Sequence, residues 1–285
     1  MRIALINSGI GLLAPAAALH RLRPDADLVL ASDPDGMPWG PKTPADITQR
    51  ALLCARAAAR YEPDVLVMAC NTGSVHALDA MRAEFEPRIP VIGTVPAIKP
   101  AAAVYDVVAI WATVATTDSA YQRRLIAEFG GTAQVTAVAC PGLADAVDAG
   151  DEDAIGAAVR HAAGRTPESC QAVVLGCTEY ELAAEHISRA VPGAVMLGSA
   201  AAVAAQALRR ASADPSATRS GRGPSAPSAD SNRPGNVRLG TVRVLLSCRP
   251  SPLPPAAALY PDGRLLAPLV ADADQVPARG RALAD

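Results

Sequence analysis

The chain has 285 residues, half of them hydrophobic, which is enough for a sizeable core in one large or two ordinary domains. Its 26 basic and 28 acidic residues leave a net charge of −2 with no Lys/Arg block, which argues against nucleic acid or an anionic membrane as its main partner. The opening apolar run is too short for a signal peptide and no uncharged apolar stretch of membrane-spanning length occurs, so the sequence reads as cytoplasmic.

Short β-rich apolar runs alternate with alanine-rich helical stretches along the chain. Residues 2–6 read as a strand. Residues 44–60 read as a helix with Thr43 as N-cap, Pro44 at its first position and Asp46 in its first turn. The unbroken apolar run 65–69 predicts a strand covered on both faces, followed by a helix to about Phe85 and a strand near 90–95. The pattern then restarts, with strands at 107–112, 134–138, 172–175 and 194–197, and helices at 118–129, 151–163, from about 181, and at 199–210. Strands alternating with helices predict α/β layers with parallel sheets. Residues 212–236 contain no Val, Leu, Ile or aromatic residue and read as a flexible linker. A strand over 237–247, a turn at Pro261-Asp262-Gly263 and a weakly ordered last ~20 residues complete the reading.

Six cysteines occur, at 54, 70, 140, 170, 177 and 248, with no Cys-x-x-Cys spacing. The four histidines do not cluster, so no metal site is expected, and cytoplasmic cysteines should be reduced. Two of the cysteines stand out. Met68-Ala69-Cys70-Asn71-Thr72 and Leu175-Gly176-Cys177-Thr178 each place a thiol and a hydroxyl after an apolar run. They are separated by almost the same interval as the strands that open the two halves, near residues 2 and 107. This faint repeat predicts two similar α/β domains, 1–97 plus 207–285 and 98–206.

In open α/β sheets ligands bind beyond the carboxyl ends of strands. A following helix N-terminus favours negative charge and lowers a thiol's pKa. A lone free cysteine is ordinarily a small buried hydrophobe, and Cys54, Cys140, Cys170 and Cys248 read that way. Two thiols in matching positions of a repeat raise the case for chemistry, though the residues alone leave packing and catalysis both open.

The two cysteine motifs, Met-Ala-Cys-Asn-Thr-Gly at 68–73 and Leu-Gly-Cys-Thr-Glu-Tyr at 175–180, resemble those of the aspartate/glutamate racemase family, and of glutamate racemase in particular. Four further segments match in the same order: Asn7-Ser8-Gly9-Ile10-Gly11, Met37-Pro38-Trp39-Gly40-Pro41-Lys42, Thr113-x-x-Thr116-x-x-Ser119 and Cys140-Pro141-Gly142-Leu143. The resemblance covers roughly residues 1–210. It implies two pseudo-symmetric domains with the active site in the cleft between them, no cofactor, a small amino acid as substrate and a homodimer. It also implies interconversion of L- and D-glutamate, supplying D-glutamate for peptidoglycan and the cell wall. Cys70 and Cys177 would act as paired bases on opposite faces of the α-carbon. Ser8, Trp39, Gly40, Asn71, Thr72 and Thr178 would contact substrate.

Two departures fall beside the thiols. Asn7 stands where the family has aspartate and Glu179 where it has histidine; both are carried as catalytic and substrate-contacting positions. Asparagine cannot take a proton, whereas glutamate can. Cys-Thr-Glu also resembles the second motif of aspartate racemases, which keeps aspartate or another amino acid open as substrate. A relative doing other α-carbon chemistry, and a binding or regulatory protein that has lost turnover, are the remaining alternatives. A thiol hydrolase fits poorly, because no histidine is placed beside either motif in the way a Cys–His pair would need.

Overall fold

The computed structural model describes residues 1–212 and 238–271. Among these described residues, ten strands form two sheets. The first sheet uses β1 (Arg2–Asn7), β2 (Asp27–Ser32), β3 (Val65–Met68), β4 (Val91–Gly93), β9 (Val242–Leu246) and β10 (Arg249–Pro250), in the order β10-β9-β2-β1-β3-β4. The second uses β5 (Val107–Ala112), β6 (Gln134–Ala139), β7 (Ala172–Leu175) and β8 (Val195–Leu197), in the order β6-β5-β7-β8. Every pairing is parallel except β9 with β10. The order β2-β1-β3-β4 is thus repeated as β6-β5-β7-β8, and β3 and β7, the strands that precede Cys70 and Cys177, are equivalent. Two parallel-sheet α/β units follow, as the sequence predicts.

Thirteen helices fill the connections among the described residues: α1 (Leu13–Leu22), α2 (Pro44–Ala59), α3 (Asn71–His76), α4 (Leu78–Phe85), α5 (Ile98–Ala102), α6 (Val114–Thr117), α7 (Ala120–Phe129), α8 (Leu143–Ala149), α9 (Glu152–Ala163), α10 (Glu179–Leu182), α11 (Ala184–Ala190), α12 (Ala200–Ser212) and α13 (Pro261–Leu266). Their starts follow local chemistry. The Thr43 side chain accepts from the Asp46 N–H at the head of α2, with Pro44 at its first position. The Thr-x-x-Thr-x-x-Ser stretch is two caps in series, Thr113 accepting from Thr116 N–H to start α6 and Ser119 from Gln122 N–H to start α7.

Strand periodicity divides the core. Ile3 and Leu5 of β1 share a core with Ala109, Trp111, Val173 and Leu175, so one continuous apolar layer joins a face of each sheet. Ala4 and Ile6 point the other way, onto Ile47, Ala51, Cys54 and Ala58 of α2. Ile98, Val108, Ile110 and Leu125 form a third cluster behind the second sheet. Helix α12 packs on α1, β3 and β4 and so returns the chain to the first sheet. The Tyr260 hydroxyl then donates to the Val147 carbonyl at 2.7 Å, tying the segment after β10 to α8 of the other half.

Several expectations are corrected. The helix expected to run to Phe85 breaks at Ala77 into α3 and α4. The helix expected from about 181 begins at Glu179 and breaks at Ala183. Residues 238–241 precede the strand, which starts at Val242, not 237. Pro261-Asp262-Gly263 opens α13, because Pro at a first helical position satisfies the same sequence signal as a turn. The 212–236 linker, save Ser212 at the end of α12, lies outside the described residues, as do 272–285 of the tail. Helix α1 and strand β2 were not anticipated.

Tyr260→Phe should cost about 1 kcal/mol in urea unfolding, the worth of one hydrogen bond whose acceptor keeps a second donor, the Gly150 N–H. Tyr260→Ala, which also empties a buried ring site, should cost about 3–5 kcal/mol.

Candidate active site

The carboxyl ends of both sheets open onto one cavity of about 380 Å³. Cys70 and Cys177 each sit two residues past the end of their strands, and both line it. Ser8, Trp39, Gly40, Thr72 and Glu179 are also on its wall, together with Thr113, Cys140, Asp145 and Asp148. Among the described residues, the lining contains no Lys, Arg or His. Residues drawn from six separate segments of sequence therefore converge, most of them at a strand end or the start of a helix, with Trp39 and Gly40 on the β2–α2 loop and Asp148 near the end of α8.

Three of the sequence-identified residues lie just behind this wall. Asn7, Asn71 and Thr178 are buried and do not line the cavity. Their contacts join the two halves. Asn71 Nδ2 donates to the Gly176 carbonyl at 2.6 Å, and Asn7 Nδ2 donates to Thr178 Oγ1 at 3.1 Å. Asn7 Oδ1 accepts from the Ser8 N–H at 2.7 Å. The loop after β1 is pressed against the second half so closely that a side chain on it would have to displace the carboxylates it faces. A Cβ on Gly9 would lie 2.2 Å from Asp148 Oδ1, and one on Gly11 would lie 2.6 Å from Glu179 Oε1.

The two thiols differ in their surroundings. Cys70 caps α3, its sulfur accepting from the Gly73 N–H at 3.4 Å, and Ser8 also donates to it. Burial, reinforced by the charge of Glu179, outweighs these donors and pushes the thiol up to about 12. Cys177 donates its S–H to Glu179 Oε2 at 2.8 Å. Burial first, then the Glu179 charge and this hydrogen bond, hold its proton well above the usual thiol range. The Thr178 hydroxyl donates to the same Glu179 oxygen at 3.3 Å, while Oε1 is buried with no hydrogen-bond partner among the described residues. Each half therefore holds a thiol, but only the second pairs its thiol directly with a carboxylate.

Trp39 is almost fully buried, and its indole N–H donates to Asp33 Oδ2 at 3.0 Å. Arg50 of α2 pairs with the same carboxylate at 3.1 Å, which fixes the loop that carries Trp39 and Gly40.

Asp148 on α8 was not picked out from sequence. Its Oδ1 accepts from the Ile10 N–H at 2.7 Å, across the interface between the halves. Burial, together with the charges of Glu179 and Asp145, raises it from 3.8 to about 8. The available signal was the Asp145/Asp148 pair, three apart on the helix that follows Cys140-Pro141-Gly142.

Residues 12–207 match the family model described as Asp/Glu/Hydantoin racemase. The chain belongs to this racemase family of isomerases. Among its relatives, the glutamate racemase of Pseudomonas putida KT2440 is 34% identical over 218 residues, covering 73% of this chain and 80% of the relative. That of Methylococcus capsulatus is 35% identical over 226 residues, covering 76% and 82%. The Escherichia coli glutamate racemase, solved with L-glutamate and the activator UDP-MurNAc-ala, superposes with a TM-score of 0.71 at 29% identity, covering 90% and 91% of the two chains. The Thermus thermophilus enzyme, solved with β-chloro-D-alanine, gives 0.63 at 26% identity, covering 86% and 87%.

The raised Asp148 sets a pH dependence of stability. Between about pH 4 and 8 the folded state retains a proton that the unfolded chain releases, so stability should fall as pH rises through this window. Asp148→Asn keeps an acceptor for Ile10 and removes the titration. Its unfolding free energy should be flatter across that range and exceed wild type at pH 8 by on the order of a few kcal/mol. Urea titrations at several pH values would show this, and a variant with the same slope as wild type would contradict it.

Proposed function

We propose that this protein racemises glutamate without a cofactor, passing the α-proton between the Cys70 and Cys177 sulfurs. The observation that supports this reading most directly is that equivalent strand ends of the two halves deliver both sulfurs to one cavity.

The α-proton of an amino acid is a very weak acid, so its removal needs a base on one face, an acid on the other and stabilisation of the carbanion. With both thiols protonated at rest, one proton must move before chemistry can start. Glu179, hydrogen-bonded to Cys177, is the group placed to take it. Cys177 then acts as thiolate base, and Cys70, which has no carboxylate hydrogen-bonded to it, gives its S–H proton to the opposite face. The product state carries a Cys70 thiolate and a protonated Glu179. The Gly73 N–H and Ser8, which donate to the Cys70 sulfur, stabilise that thiolate. A proton returns from Glu179 to Cys70 before the next turnover, and the reverse reaction starts from the unrelaxed state. Asn7 takes no proton; it holds Thr178 and Ser8 in place.

The substrate carboxylates are assigned to hydroxyl and backbone donors: Ser8, Thr72 and the N–H groups of Asn71 and Thr72 at the start of α3, which have no intrahelical acceptor. Such donors bind anions without placing a cation where it would quench a thiolate. Trp39 and Gly40 shape the wall, and closing the cavity on substrate expels water and strengthens these interactions. Glu179, which the second motif shares with aspartate racemases, makes aspartate the second substrate to test.

The same reading includes supply of D-glutamate for peptidoglycan, a cytoplasmic location and a homodimer. It also includes domains at 1–97 with 207–285 and at 98–206. The packing of α12 on α1 supports a return crossing nearer residue 199.

Exchange of the α-proton in deuterium oxide, followed by NMR with each enantiomer of glutamate and aspartate, tests the reading. Inversion of glutamate that disappears in both Cys70→Ala and Cys177→Ala is the expected result. Exchange with aspartate alone would move the substrate and keep the mechanism. No exchange with either by folded protein would overturn the proposal.

Glu179→Gln should lower kcat/KM by on the order of 10²–10³-fold, the usual contribution of a proton-transfer group. The loss must be equal for L- and D-glutamate, because the equilibrium constant between enantiomers is one. A variant with unchanged kcat/KM would remove Glu179 from the proton path.

A further inference from the structure

One buried carboxylate near the cavity has no part in the mechanism above. Asp33 is buried and stands outside the cavity lining. It follows β2, which runs in register with β1 so that Ser32 lies opposite Asn7. Ser8 and Asp33 therefore leave the sheet side by side, and the Asp33 N–H donates to the Ser8 carbonyl at 3.1 Å. The backbone of Asp33 is thus anchored to the wall of the site, and its side chain is free to hold something else.

What it holds is Trp39. The indole N–H donates to Asp33 Oδ2 at 3.0 Å, and Arg50 of α2 pairs with the same oxygen at 3.1 Å. The six-membered edge of the ring then lies against Gly73 of α3. A Cβ on Gly73 would be 3.1 Å from Trp39 Cζ3 and 2.4 Å from Met68 Sδ, so Gly73 is clasped between the indole and Met68. Trp39, Met68 and Cys70 belong to one buried cluster. The Gly73 N–H is the backbone donor that reaches the Cys70 sulfur, at 3.4 Å. Close-packed interiors pass displacements on, so a shift of the ring moves Gly73 and takes its N–H away from the sulfur.

We infer that Asp33 and Trp39 are a positioning pair for Cys70, acting through Gly73 to keep a hydrogen-bond donor on its sulfur. The inference rests on the reading of Cys70 as one of two catalytic thiols. It explains how a thiol without a carboxylate of its own is set for its task. Cys177 is held separately, by its bond to Glu179. A donor to sulfur favours the thiolate, so loosening the pair should make Cys70 keep its proton more tightly and leave Cys177 as it was.

The full-length protein would be treated with limiting iodoacetamide at one pH, and the adducts on Cys70 and Cys177 counted by mass spectrometry. Both thiols line the same cavity, so the ratio of the two corrects for altered access. In Trp39→Phe, which loses the indole N–H and the ring edge that meets Gly73, labelling of Cys70 relative to Cys177 should fall by on the order of tenfold, the effect of about one pKa unit. Asp33→Ala should act in the same direction. Asp33→Asn keeps an acceptor for the indole and should restore most of the wild-type ratio, which a general loosening of the loop would not. Trp39→Phe carries the test if Asp33→Ala does not fold. An unchanged ratio in folded Trp39→Phe, or equal losses at both cysteines, would overturn the inference whether or not the protein racemises glutamate. A wild type that fails to exchange the α-proton would instead count against the two-thiol reading, and the labelling ratio would still decide whether the pair positions Cys70.

Discussion

The site depends on holding two strand ends face to face across the boundary between two sheets. The amide of Asn71 reaches across to the Gly176 carbonyl, immediately before Cys177, and the amide of Asn7 reaches across to Thr178, immediately after it. Both amides are buried, so neither bond competes with water, and breaking either would leave a buried donor unsatisfied. The thiol of one half is thereby positioned by residues of the other. The glycines of the first loop allow the approach, because any side chain at Gly9 or Gly11 would strike Asp148 or Glu179.

That arrangement has an electrostatic consequence. Two thiols, Glu179 and Asp148 are gathered where water is largely excluded, and the proton affinities of Cys70, Cys177 and Asp148 all rise. The folded state bears this unfavourable crowding because the apolar layer shared by both sheets supplies the stability elsewhere. In the proposed mechanism the same crowding serves proton transfer. A thiol hydrogen-bonded to a carboxylate can exchange its proton over one bond, whereas in open solvent each group would titrate alone. In the proposed mechanism Asn7 takes no proton and Glu179 accepts one, so the proton-accepting carboxylate belongs to the second half of the site.

Much of this was legible in the chain itself. Continuous apolar runs such as Val65–Met68 and Ala172–Leu175 announced strands covered on both faces, and they are the central strands that lead into the two cysteines. Helix starts were readable where a cap is encoded locally, as at Thr43-Pro44, and ambiguous where one signal serves two structures, as at Pro261-Asp262-Gly263. Strand β2 escaped notice because its Asp27–Ser32 run is flanked by proline-rich loops that dilute the pattern.

The sequence by itself determined the alternation of strands and helices, the duplicated cysteine motif and the polar residues beside it, because each is a local pattern of burial and hydrogen-bonding groups. Only the tertiary structure decided that Asn7, Asn71 and Thr178 stand behind the cavity wall and that Asp148 enters the site. Those outcomes depend on which segments pack against each other across the two sheets, and no local periodicity encodes a contact between residues a hundred or more positions apart.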